Sequence, residues 1–286
     1  MIATYLLALM LQVGPNPQGE DGLRLPEELR NRPERPVDPE DPLQLNDPDA
    51  RWLAGCLTQI ESDPARAHSQ AQIKRAEALG DALLAANHCL GLAATELGLW
   101  DDARQAFLAV RDRAPTSDLR SRARFGAMAG NAALAGGDPA GALALLEVAR
   151  ADAGAAASNP LQVIAALDTA RALVALGRDA EALAPLDAAT TLAPQESEGW
   201  LLKATLLRRL GRLEDAQAAI EEAAALAPQE GDIGLEAGVI AVLSGREEAA
   251  RASWQSVIDV QPDSLAAKTA RGYLAQLTGE PEQETP

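Results

Sequence analysis

Cys56, Cys89, His68 and His88 are the whole Cys and His supply of this 286-residue chain. A nucleophile needs a base within hydrogen-bond reach. His88 and Cys89 are adjacent, and consecutive helical residues point about 100° apart, so they do not make such a pair. His88 is expected to line a groove or face water. No closely spaced Cys pair accompanies a His, so no zinc site is read. Gly136-Gly137-Asp138-Pro139 lacks the Lys-Ser/Thr of a phosphate loop and reads as a turn. The acidic pairs Asp101-Asp102 and Glu247-Glu248 sit where helices begin and lack the spacing of metal ligands. A Ser/His/Asp site is assembled in space, and nothing local points to one. The chain is therefore read as non-enzymatic, with no catalytic residue, metal or cofactor.

The elements that carry these residues are helical. The composition is 47% apolar, mostly Ala and Leu, and only 3% aromatic. Ala and Leu are the strongest helix formers. No β-branched stretch alternates with period two, so no sheet is expected. The net charge of −17 opposes binding to phosphate backbones, which needs clustered Lys and Arg. Nucleic acid is excluded as a partner on that ground.

Residues 198–228 show the organising unit: two helical stretches separated by Gly211-Arg212 and closed by Pro228. Gly245 and Pro262 repeat the punctuation 34 residues later. A two-helix unit at that period signals a helical repeat array. The same frame gives Leu90-Gly91, Gly98, Ala103, Phe107 and Pro115. It continues through Gly130, Gly137, Ala142 and Leu146, then Gly177, Ala182, Leu186 and Pro194. Trp200, Ala204, Ala216 and Ile220 follow, then Gly238, Ala250 and Trp254. The small residues allow close helix approach, and the large ones fill the space toward the next unit. The turn glycines suit positive φ at a helix end. Their spacing widens to 39 residues from Gly98 to Gly137 and to 40 from Gly137 to Gly177. The extra residues are placed in Ala114–Leu119 and Ala151–Pro160.

This pattern resembles the tetratricopeptide repeat family over residues 50–262. The resemblance implies an all-α fold, an α-solenoid of helix-turn-helix repeats wound into a right-handed superhelix. The first helices would line a concave surface. His88, Leu92, Arg124, Asn131, Leu167, Arg171, Thr205 and Arg208 would then point into the groove. Arg124, Asn131, Arg171 and Arg208 could receive an acidic or extended peptide, or they could pair with the chain's own acids. The family's carboxylate clamp uses Lys and Asn, and only Asn131 matches it, so capture of a free C-terminus is not expected.

Outside the array, residues 1–13 are apolar and suit in length the apolar core of a secretory signal peptide, although no Lys or Arg precedes them. If uncleaved, they would serve for docking or membrane association. Residues 14–49 hold eight prolines among acids and read as an extended linker. Residues 263–279 read as a capping helix with Leu265, Tyr273, Leu274 and Leu277 inward. Residues 280–286 read as a tail. Cys56 and Cys89 are 33 residues apart, on matching helices of adjacent units. Two buried free thiols are the favoured state, with a disulfide the alternative in an oxidising compartment. The resulting expectation is a protein- or peptide-binding scaffold of a bacterial-type periplasm or of the secreted fraction. It would be cytoplasmic if residues 1–13 are no signal. The alternatives are a subunit of an oligomeric assembly and an enzyme on a helical-repeat scaffold.

Overall fold

The computed structural model describes residues 47–278. The segment 1–13, most of the linker 14–49 and the tail 280–286 lie outside them. Among the described residues there are thirteen helices and no strand. They pair as α1 (Pro48–Ser62) with α2 (Pro64–Glu77), α3 (Gly80–Glu96) with α4 (Trp100–Arg113), and α5 (Leu119–Ala135) with α6 (Pro139–Ala155). The pairs continue with α7 (Asn159–Ala175) and α8 (Asp179–Leu192), α9 (Ser197–Arg209) and α10 (Leu213–Leu226), and α11 (Gly231–Leu243) and α12 (Glu247–Val260). α13 (Leu265–Thr278) packs on the last pair. Every helix packs on its successor. Odd-numbered helices also meet one another: α1 with α3, α5 with α7, α9 with α11. This is an α-solenoid whose odd-numbered helices form one layer.

Local chemistry explains the boundaries. Asp47, Asp63, Asp118 and Asp138 are N-caps whose carboxylates accept backbone N–H bonds in the first turn, satisfying donors a helix start leaves open. Acids occupy the first turns of α4, α8, α10 and α12, where the dipole favours them. The expected turn glycines Gly98, Gly137, Gly177, Gly211 and Gly245 all have positive φ, between 69° and 81°.

Packing within a pair sets one large side chain against a residue with no room for its own. A methyl group on Gly130 would approach Leu146 Cγ to 2.6 Å, and Gly91 and Gly238 meet the Phe107 and Trp254 rings as closely. Phe107, Leu146, Leu186, Ile220 and Trp254 are all buried. Burying such a side chain contributes about 1.5–3 kcal/mol. Trp254 also donates from Nε1 to the Leu235 carbonyl at 3.1 Å and lies 5.0 Å from the Tyr273 ring of α13.

One open point is resolved and two expectations are corrected. The wide glycine spacings lengthen helices rather than loops. α5, α6 and α7 each have 17 residues, against 13 or 14 in α8 to α12. Leu265 does not face the last repeat; it is 79% exposed, while Tyr273, Leu274 and Leu277 do pack there. Cys56 and Cys89 are not free thiols. They are joined as a disulfide between α1 and α3, with Cα atoms 6.2 Å apart, inside the range a disulfide spans. The disulfide kept as the alternative is the one formed: a separation of nearly one period sets both on odd-numbered helices in direct contact.

Candidate binding groove

His88 of α3 is half-buried rather than solvated. Its ring meets Phe125 of α5 edge-on, with centroids 4.9 Å apart. Burial, with the Arg124 charge second, lowers its pKa from 6.5 to about 4, so the imidazole is neutral at pH 7. Arg124 and Asn131 are exposed on α5. Thr205 is half-buried on α9.

Further along, the odd helices are laced together by polar side chains. Arg171 of α7 donates from Nη1 to Asp168 Oδ1 at 2.7 Å and also pairs with Glu198 of α9. Asn131 of α5 lies near the same Asp168 and favours its charged form; Asp168 is 5% exposed. Burial pushes the Asp168 carboxyl above its usual range, while Arg171 and Asn131 oppose the rise. Across the next seam, Arg208 donates to Glu236 of α11 from Nε at 2.5 Å and from Nη2 at 3.3 Å. The structure therefore brings Asn131 and Arg171 to Asp168 and sets His88 beside Arg124. It does not bring all six expected residues into one constellation. The acids Asp168, Glu198 and Glu236 were missed. For Glu198 and Glu236 the signal is a carboxylate 27 or 28 residues after the arginine, the register from one odd helix to the next; Asp168 lies three residues before Arg171 on the same helix.

The apolar side chains of the same helices mostly pack inward, Leu202, Leu201, Val239 and Val242 against the core clusters. These four are half-buried, and Ile164 is 49% exposed. Two open clefts of about 330 Å³ lie elsewhere, lined by even-numbered helices as well. The polar groups in the first pair off locally: Lys203 bonds Asp187 at 2.7 Å and lies 5.2 Å from the Trp200 ring centre.

A family model described as tetratricopeptide repeat matches residues 127–197 and 201–264. The chain is a tetratricopeptide repeat protein. Solved tetratricopeptide structures share its fold. The type IV pilus biogenesis factor PilW superposes with a TM-score of 0.62 at 19% identity, covering 78% of this chain and 98% of PilW. MamA from Desulfovibrio magneticus RS-1, residue 41 to the end, gives 0.53 at 18% identity, covering 65% of this chain and 100% of that one. Sequence comparison with the curated proteins finds no match. Within the tetratricopeptide frame, the one residue that fits the family's carboxylate clamp, Asn131, is exposed and lies near Asp168. No helix among the described residues is long and apolar enough to cross a membrane.

Proposed function

We propose that this tetratricopeptide array is a non-enzymatic scaffold that holds an extended protein segment along the odd-helix layer, in an oxidising compartment outside the cytoplasm. The observation that carries the reading is that layer itself. Adjacent odd helices carry polar groups already fixed by ion pairs across their seams, and Ile164 on the same layer is 49% exposed. A peptide lying there would bury apolar area and bond to a preorganised polar rim, which lowers the ordering cost of binding. The compartment rests on the Cys56–Cys89 disulfide, because such bonds persist where the surroundings are oxidising. The apolar run of residues 1–13, of a length that suits the apolar core of a signal peptide, supports the same reading.

The test is a photo-activatable side chain at Thr205, on the odd-helix layer, against one at Glu221, exposed on α10. Illumination in cells should cross-link a partner from position 205 and not from 221. Cross-linking from 221 alone would overturn the groove. Thiol alkylation of the freshly isolated protein, with and without reductant, tests the compartment. Alkylation without reductant would place the chain in a reducing one.

A further inference from the structure

The seam between α7 and α9 is bridged by Arg171. These two helices do not pack as closely as α5 with α7 or α9 with α11, and the long side chain reaches across. Its guanidinium is divided between two acids of opposite character. Nη1 donates to Asp168 of its own helix at 2.7 Å, and that carboxylate is buried. Nη2 pairs with Glu198 in the first turn of α9, whose side chain is 58% exposed. The inner acid fixes where the guanidinium points, and the outer acid occupies the edge nearer solvent. The next seam is built differently. Arg208 gives both Nε and Nη2 to Glu236, and the Glu236 side chain is only 12% exposed, so that pair is closed on itself.

The two bonds of Arg171 differ in what it takes to break them. An ion pair whose acid is mostly in water gains little over hydration. Glu198 also sits in a first turn, where the helix dipole favours its charge, so it loses little on releasing Arg171. Arg171 itself cannot leave Asp168 without stranding a buried carboxylate. An incoming carboxylate can therefore replace Glu198 while the pair behind it stays in place. The same face of α7 carries Ile164, four residues before Asp168 and seven before Arg171, and its side chain is half-exposed. Seven residues of helix set Ile164 about 10.5 Å from Arg171 along the axis. Three residues of extended chain span about 10 Å.

We propose that the outward edge of Arg171 is the docking point for one acidic side chain within an extended segment of a partner protein, and that Glu198 stands in for that carboxylate until the partner displaces it. The proposal rests on the groove reading above and names the chemistry at one point in it. A guanidinium presents donors in a geometry that matches a carboxylate. The exchange replaces one carboxylate by another, so the charge balance around buried Asp168 is kept. A nucleic acid would bring further negative charge against Asp168, Glu198 and a chain of net charge −17, which repels it. A single acid on an otherwise neutral segment brings none. Ile164 supplies the apolar contact for a partner residue three places from that acid.

The probe is a serine peptide with one glutamate and a leucine three residues to either side of it. It carries an uncharged dye at its N-terminus and an amide at its C-terminus, so no free terminus contributes. A twin with glutamine for the glutamate is the control, and both are titrated with the full chain. Glu198→Gln should tighten the glutamate peptide about threefold or more, the scale of an exposed ion pair, and leave the glutamine twin unchanged. Glu221→Gln on α10 removes the same charge away from the seam and should change neither. Adding Arg171→Lys to Glu198→Gln should remove most of the gain, because an ammonium lacks the second edge of a guanidinium. Circular dichroism checks that each variant stays helical. A Glu198→Gln chain with no gain, or with an equal gain for both peptides, overturns the proposal. So does an equal gain for a short oligothymidylate. The cross-link from position 205 separates the two readings. If it forms in the wild type while the gain is missing, the exchange fails and the groove stands. If it is absent in the wild type, the groove fails and the docking point with it.

Discussion

Arg171 Nη1 lies 2.7 Å from Asp168 Oδ1, three residues earlier on α7. Asp168 is nearly inaccessible, and its partner is shared with Glu198 across the seam to α9. The pair therefore ties two repeats together through a charge that cannot be left alone. Exposed ion pairs contribute little, roughly 0–1 kcal/mol. Removing the cation from a buried carboxylate costs more, because desolvation is no longer offset.

Arg171→Met should therefore lower stability by about 1–3 kcal/mol, and Asp168→Asn should remove most of that sensitivity when the two changes are combined. The pH dependence has a defined sign. Burial raises the Asp168 carboxyl in the folded chain, so the folded state holds a proton that the unfolded state has released. Wild-type stability relative to Asp168→Asn should fall as pH rises through that window and then level off. Urea melts at several pH values measure it. A relative stability that rises with pH would show that Arg171 and Asn131 outweigh burial.

His88 has the opposite sign. Its folded pKa is about 4, against 6.5 unperturbed, with burial as the main cause and Arg124 second. The unfolded chain takes a proton that the folded chain refuses. Stability present above pH 6.5 should decline as pH falls toward 4, by about 3 kcal/mol in all. His88→Leu keeps an apolar side chain against Phe125 and should flatten that part of the profile. An unchanged acid profile in the variant would assign the decline to other groups.

The repeat was legible because its physics is local. A glycine ends five of the first helices, a small residue admits a large one, and acids open most of the second helices, as Gly211, Ala204 with Ile220, and Glu214 show. The site was legible only in part. The frame correctly assigned Arg171 and Arg208 to odd helices, but the carboxylates that hold them come from the next unit. A single-unit frame carries no register between seams. The disulfide was legible only as the alternative to free thiols: the spacing of Cys56 and Cys89 suggested neighbouring helices, but only the contact between units brings the two sulfurs together. The added turn on α5 was visible as a long spacing, yet a spacing does not say whether residues extend a helix or a loop.

Removing the disulfide should act on one end of the array. Cys56 and Cys89 lie in a small cluster with Ala67, Ala71 and Leu90, so the first pair has less apolar burial than the rest. Disulfides contribute about 2–4 kcal/mol, and repeat stability is summed over neighbours. Cys56→Ser should speed amide hydrogen exchange across α1 and α2 and leave α9 to α12 unchanged. Uniform acceleration along the whole array would show that the first pair does not fray on its own.

Ala157 offers the sharpest test of the turn chemistry. Six of the chain's helices end with the same two bonds, seen in Gly137 N–H to Leu134 and Asp138 N–H to Ala133, and again in Ala157 N–H to Gly154 and Ser158 N–H to Ala153. Five of the six place glycine at the left-handed position; at the end of α6 it is Ala157, with φ of 50°. An L-residue there costs about 1–2 kcal/mol, while glycine costs about 0.5–1 kcal/mol in chain entropy. Ala157→Gly should therefore raise stability slightly, by up to about 1 kcal/mol. Ala157→Val should lower it by more, since a β-branched side chain tolerates positive φ least. Ala157 is exposed, so neither change disturbs packing, and thermal melts of the two variants isolate the backbone effect. Equal stability of the Val and Gly variants would mean that residue 157 is not left-handed and that the end of α6 differs from the five glycine turns.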